Sequence, residues 1–567
     1  MQNRYPIDAD HLLPEYPRPQ MVRDSYVSLN GMWECAITDD PKIPDFFPYS
    51  ILVPFSPETR LSGMERGVGV NQTLTYRRTF RLSLETDKRT LLHFEAVDHS
   101  CTVYLNGVCV GSHRGGYLPF HFDITDAVKQ DNELIVQVND PCDSQSIIRG
   151  KQAQEASGIF YSGQSGIHQS VWLEQVSRHY IKGLVIASNL EQRCWHVTVE
   201  ADQSGLEVVV SYLDGSRKVK GLSGQRLNCQ VDEVHPWSPE DPYLYTFTVT
   251  MADDCVHSYV GLRSFSVTDG RLYLNGKPYY HHGILDQGYW PYSLYTPPSD
   301  QAMIDDLLLI KKLGFNMVRK HAKVENLRWY HHCDRLGLLV WQDMVSGGRK
   351  PFQPIMSGPL FLKRFSVPDS LYPLLGSQDE QYRKDFEEQL TQMIQTLSNC
   401  VSIAMWVIFN EGWGQFDTQR MLDLVQSLDS SRTIDPASGW YDQKIGGFCS
   451  RHVYFKAYRH TPDSNGRAVI LSEFGGYVYR EIGHDEQTKI FGYKKFSDRK
   501  AFGEAFFDLY ANQIVPAKQQ GLAASVYTQF SDVQQELNGL VTFDRLSVKV
   551  DEVVALQVAA MLLGTQQ

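Results

Sequence analysis

The stretch Ser402–Gly414, SIAMWVIFNEGWG, constrains this chain more than any other. From Ile403 to Phe409 it is an unbroken apolar run, which is how a strand buried on both faces of a parallel sheet reads. Asn410 and Glu411 follow at once, and Gly412 and Gly414 end the strand. A carboxamide and a carboxylate placed where a buried parallel strand stops sit where a (β/α)8 barrel keeps its catalytic groups. The same grammar returns at Ala468–Gly476, AVILSEFGG, where an apolar strand ends in Glu473 and two glycines. Two glutamates at the ends of different barrel strands would face each other across one pocket. Glycoside hydrolysis uses that arrangement, with one carboxyl as proton donor and the other as nucleophile or base. Taken singly, each glutamate reads as an ordinary solvated strand-end residue. Only the pair points to chemistry.

The rest of the chain frames that pair. At 567 residues it is too long for one core, so about three domains are expected. With 42% apolar and 21% charged residues it has the composition of a folded globular protein. A net charge of −12 argues against nucleic acid, whose phosphates need a basic surface. The ten cysteines show no zinc-ligand spacing and read as reduced core thiols. No apolar signal segment follows Met1, and no apolar run reaches membrane-spanning length, so a cytoplasmic protein with no membrane partner is expected.

Residues 1–175 alternate in short strands and turns, with Asn106-Gly107 as a hairpin signal after Cys101–Leu105, and predict a jelly-roll β-sandwich. Residues 176–266 carry some seven further strand segments and predict an immunoglobulin-like sandwich. From 267 to 567 strands alternate with amphipathic helices, which predicts a catalytic (β/α)8 (TIM) barrel. Its strands are expected at 280–284, 316–319, 338–342, 403–409, 433–435, 452–454, 469–471 and 524–527. Residues 345–380 include a long loop of little periodicity over the mouth.

In this order the motifs become recognisable, and the chain resembles glycoside hydrolase family 2, the family of β-galactosidases, β-glucuronidases and β-mannosidases. The resemblance rests on Val103–Gly107, Gly115–Phe120, Ser165–Ile167, Trp237–Tyr245 and Gly261–Arg263 before the barrel. Within it the matching residues are Arg319-Lys320-His321, Asn410-Glu411 and Glu473. It implies that Glu411 is the acid/base, Glu473 the nucleophile, and Asn410 a partner of the sugar 2-hydroxyl. Three departures stand out. The Glu-x-His of the metal-dependent members is replaced by Trp341-Gln342-Asp343, so neither a metal nor any other cofactor is expected. The Asn-x-Lys that reads a uronate in β-glucuronidases is missing from Gln529–Leu540, whose extra acids would repel one. The end of strand one, Gly283–Trp290, lacks the family's His-rich form.

Around the two glutamates, Arg319 is expected to keep Glu473 ionised, or to brace the barrel as a buried ion pair. His321 is a candidate for a sugar hydroxyl, with a structural histidine as the alternative, and Tyr454 for a hydrogen bond to the nucleophile, with a tyrosine packed in a strand-end loop as the alternative. Trp440, Trp413 and Trp290 are stacking candidates, with core packing as the alternative. Asp286, Asp343 and Asp532, at the ends of strands one, three and eight, would each fix a sugar hydroxyl or cap a helix. The expected function is a retaining exo-β-glycosidase, β-galactosidase-like, whose partner is a carbohydrate; a homo-oligomer is compatible with the sequence. A furanosidase or pentosidase using the same glutamates, and a non-catalytic carbohydrate-binding protein, are the alternatives.

Overall fold

The computed structural model describes residues 4–349, 367–485 and 489–564. Of the long loop expected within 345–380, residues 350–366 lie outside the described residues, and a short helix occupies Tyr372–Leu375.

The N-terminal part is a sandwich of a six-stranded and a four-stranded antiparallel sheet. In Ser100–Leu105 alternate residues are buried, as one face packs on the core and the other meets solvent. Asn106 and Gly107, both at positive φ (52° and 81°), turn this strand into Val108–Arg114, the hairpin the sequence predicts. Trp33, Tyr76, Phe94 and Ile167 fill the interior. A second sandwich pairs a three-stranded sheet with a four-stranded one around Trp195, Val210, Tyr245 and Phe247. All ten cysteines are free; eight are buried, but Cys109 and Cys255 lie exposed on strands, which corrects the expectation of core thiols there.

The C-terminal part is an eight-stranded parallel barrel: β1 (His281–Asp286), β2 (Met317–Lys320), β3 (Leu339–Asp343), β4 (Ile403–Asn410), β5 (Thr433–Ser438), β6 (Phe448–Val453), β7 (Ala468–Gly475) and β8 (Ala524–Thr528). The hydrogen-bonded order is β5-β4-β3-β2-β1-β8-β7-β6. Helices α1 (Asp300–Lys312), α2 (Leu327–Leu336), α3 (Glu380–Leu397), α4 (Thr418–Leu428) and α5 (Arg499–Leu509) cover its outside. Side chains such as Met317, Trp341, Met405, Ile470 and Val526 close the floor of the barrel against Trp237 of the second sandwich. After α5 a π-turn spans Tyr510–Ile514 before helix resumes at Val515–Gln519. Pro516 has no N–H to give the preceding turn, so the ladder opens there. No helix among the described residues is long and apolar enough to cross a membrane.

The sandwiches are bonded to the barrel, not tethered beside it. Trp237 Nε1 donates to the Asp334 carbonyl (2.7 Å) and Arg263 Nε to the Val401 carbonyl (3.1 Å). From the first sandwich, Ile148 bridges to Gly347 and Arg149 Nη1 donates to the Gly348 carbonyl (2.6 Å). That docked segment reaches the mouth of the barrel.

Candidate active site

Asn410 is the last residue of β4, and Glu411 turns out of the strand with φ of 53°, a left-handed conformation that costs a non-glycine residue of order 1–3 kcal/mol. Gly412 follows because a Cβ there would lie 2.3 Å from the Tyr441 ring. Glu473 lies inside β7, and the turn comes at Gly475 and Gly476, both at positive φ. Both carboxylates point into one mouth. An oxygen of each, together with a ring nitrogen of His452, lie within 4.8 Å of one another.

Arg319, fully buried at the end of β2, organises the floor. Its Nη1 donates to Glu473 Oε1 (3.2 Å) and the Ser472 carbonyl (3.1 Å), its Nη2 to Asn410 Oδ1 (2.8 Å). Nε and Nη2 together grip Asp343 at 3.0 and 3.1 Å. The Tyr454 hydroxyl donates to the other oxygen of Glu473. Burial opposes the charge on Glu473, but His452 and Arg319 outweigh it and hold the carboxyl well below the usual carboxylate range. Burial and the neighbouring Glu473 carboxylate push the Tyr454 phenol up, so it stays a donor. Because Asn410 Oδ1 faces the guanidinium, its Nδ2 is left for a ligand.

His321 gives Nδ1 to Asp343 Oδ2 (2.7 Å), and burial, then the ammonium of Lys151, drive its pKa down against the pull of the Asp343 carboxylate. Trp440 packs edge-on to His452 with centroids 6.1 Å apart. Asn410, Arg319, His321, Tyr454 and Trp440 therefore meet around Glu411 and Glu473.

The three acids expected at sugar hydroxyls are all engaged by neighbouring cations. Asp343 accepts from Arg319 with both oxygens and from His321 with one, so it positions those two side chains. Asp286 pairs with Lys320 (2.5 Å) and accepts from the Gly288 N–H (3.0 Å), turned outward because its register partner on β2 is that lysine. Asp532 binds Lys549 Nζ (2.7 Å) and the Gly539 N–H (2.9 Å) inside the loop after β8. Two of the tryptophans are also occupied: Trp290 lies under Arg545, and Trp413 stacks on Phe160 with centroids 4.9 Å apart. Gln342 and Asp343, the last residues of β3, do not fit a hard cation. Gln342 accepts from Tyr330 and donates to the Lys323 and Asp343 carbonyls, while Asp343 is held by Arg319 and His321.

Two residues escaped the sequence reading. His452 is the register partner of Glu473 across β6 and β7. Its one signal was its place two residues before Tyr454, on the same side of a strand. Lys151, from the first sandwich, reaches the mouth with Nζ 5.8 Å from the centroid of the Trp413 ring, and no hydrogen bond or ion pair holds it among the described residues. Nothing in the sequence marks a loop of another domain as part of this wall.

Comparison with known proteins agrees with the geometry. The family model "Glycosyl hydrolases family 2, TIM barrel domain" matches residues 265–547. "Glycosyl hydrolase 2 galactose-binding domain-like" matches 63–174 and "Glycosyl hydrolases family 2" matches 179–263. A β-galactosidase of Thermoanaerobacter pseudethanolicus is 26% identical over 448 residues, covering 73% of this chain and 55% of that protein. The chain spans about half the length of the first curated relatives it matches. Among solved structures, a Ruminococcus gnavus β-glucuronidase superposes with a TM-score of 0.74 at 18% identity, over 98% of this chain and 100% of that one. An Eisenbergiella tayi β-galacturonidase does so with 0.72 at 18%, over 97% and 100%. With the three family models laid end to end over the two sandwiches and the barrel that carries both glutamates, the chain belongs to glycoside hydrolase family 2.

Proposed function

We propose that this protein is a retaining exo-β-glycosidase that removes a terminal sugar in two displacements, with Glu473 as nucleophile and Glu411 as acid/base. The observation that carries the reading is the unequal setting of two neighbouring carboxylates. Glu473 is held ionised by Arg319 and Tyr454, while Glu411 has no cationic Lys or Arg partner among the described residues. Glu473 would attack the anomeric carbon as Glu411 gives a proton to the departing oxygen; Glu411 would then take a proton from the water that releases the sugar. An oxygen of one lies within 4.8 Å of an oxygen of the other, which supports the close carboxyl pair of retention, about 5–5.5 Å, over the wider one that inversion needs to hold its water. Asn410 Nδ2 and His321 supply donors for glycone hydroxyls. A panel of nitrophenyl glycosides tests the reading: release from at least one β-glycoside is expected, and no release from any of them would contradict it.

The first expectation for the sugar is a β-galactoside, in keeping with the relatives named β-galactosidase. A second reading, an acidic sugar, is favoured by Lys151. The sequence argues against a uronate because the loop after β8 holds no lysine, yet a cation is delivered to the mouth from another domain. Structural neighbours are named for glucuronides and galacturonides. If the second reading holds, Lys151→Gln lowers kcat/KM on 4-nitrophenyl β-galacturonide or β-glucuronide by roughly 10–100-fold, a charge-assisted contact of about 1.5–3 kcal/mol. The corresponding neutral glycosides should change by less than about threefold. An equal loss on neutral and acidic glycosides would point back to the β-galactoside.

A further inference from the structure

His452 is built into the site with more care than a bracing residue needs. Its side chain is fully buried, yet each ring nitrogen faces one of the two glutamates. Nδ1 lies 2.8 Å from Glu411 Oε1, while Nε2 lies 3.5 Å from Glu473 Oε1 and 3.3 Å from Ser438 Oγ. Space for the ring is kept by Gly439, at φ of 84°, where a Cβ would come within 2.6 Å of the imidazole. Trp440 closes on it edge-on. From β7 and β5, Glu473 and Asp435 are the other acids that face it, and Arg319 on β2 stands behind Glu473. Burial pushes the Asp435 carboxyl up to about 6.

We propose that His452 and Glu411 hold the catalytic proton jointly and act as a single acid/base unit, a role that rests on the two-glutamate reading above. Two placements of the proton satisfy the same contacts. With the proton on Glu411, its O–H donates to Nδ1 and the Nε2–H turns to Ser438 and Glu473. With the proton moved across the 2.8 Å contact, an imidazolium donates from Nδ1 to the Glu411 carboxylate and from Nε2 toward Glu473. Neither placement strands a buried polar atom, so the proton has two seats where a lone carboxyl has one. In the first displacement the unit loses one proton to the glycosidic oxygen as the bond from that oxygen to C1 breaks and the bond from C1 to Glu473 forms. In the second it regains one from water as the ester to Glu473 is cleaved. Atoms and charge balance, and no other reactant is needed. His452 is thus a positioning and proton-sharing residue for Glu411, and makes no contact with the sugar.

The test is the pH profile of kcat/KM for His452→Asn and His452→Gln beside the wild type, on glycosides with poor and good leaving groups. Loss of the second seat should move the alkaline limb by about one pH unit or more toward acid. It should slow an unactivated alkyl glycoside on the order of tenfold or more. Formation of the glycosyl-enzyme from a dinitrophenyl glycoside, which needs no proton, should change by less than about threefold. A profile of unchanged shape, or equal losses on both leaving groups, would overturn the proposal and leave His452 a bracing residue. Should the variants fail to fold, 15N spectra of histidine-labelled wild type decide instead. The His452 ring signals should titrate with Glu411 and change course in Glu411→Gln; an identical titration in the two proteins would overturn the sharing. If wild type cleaves no glycoside at all, the enzymatic reading falls, and the spectra still report whether the two side chains share a proton.

Discussion

Glu473→Gln abolishes turnover of every glycoside, poor or good leaving group alike, with kcat falling on the order of 10⁴-fold or more. The amide keeps the shape of the side chain and can still meet Arg319 and Tyr454, so the fold should persist, with an unchanged far-ultraviolet spectrum. What would be lost is the anion proposed to bond to the anomeric carbon, and the neighbouring acids are engaged elsewhere. Asp343 is locked by Arg319 and His321. Glu536 is bound by Tyr161 and Asn538, and burial raises its pKa. Activity within about tenfold of wild type would remove Glu473 from the reaction.

Glu411 should behave differently, and the difference separates the two roles. Glu411→Gln should cost about 10²–10⁴-fold on an unactivated glycoside, the usual contribution of a positioned acid. On a dinitrophenyl glycoside the first displacement should be nearly intact, so the glycosyl-enzyme accumulates and the second step becomes limiting. Azide, which needs no base, should then restore turnover and leave a glycosyl azide of the same anomeric configuration. Pre-steady-state release of dinitrophenol checks the first point and product chromatography the second. A variant indistinguishable from wild type on the unactivated substrate would mean that Glu411 is not the acid.

How much of this was legible beforehand depended on whether the deciding force was local. The ends of β4 and β7 were readable because a doubly buried strand must be apolar and must then stop, and both events are written in consecutive residues. The hairpin at Asn106-Gly107 was readable for the same reason. The fifth strand, expected at 433–435, runs on to Ser438 because its register with β4 holds to Asn410; pairing sets that length, not its own sequence. The seventh, expected at 469–471, likewise extends past Glu473. The partners of Asp286, Asp343 and Asp532 were out of sight for a kindred reason. Position at a strand end says that a carboxylate is near the mouth, but its direction is set by Lys320, Arg319 and Lys549, cations on other segments. His452 sits in a strand read only from 452 onward, whereas β6 begins at Phe448, so its pairing with Glu473 was out of sight. Lys151 is the limiting case. Its place at the mouth depends on Ile148 and Arg149 docking a sandwich loop onto Gly347 and Gly348, which no local pattern encodes.

Glu473 as nucleophile and Glu411 as acid/base, with an oxygen of each within 4.8 Å of the other, would work by double displacement. A 2-deoxy-2-fluoro glycosyl fluoride of the accepted sugar, incubated with the wild type and followed by peptide mass spectrometry, tests it most directly. One covalent glycosyl adduct is expected, on Glu473 and no other residue, with loss of activity that returns as the adduct hydrolyses. An adduct on Glu411, or none under conditions where that sugar's ordinary glycoside is cleaved, would contradict it.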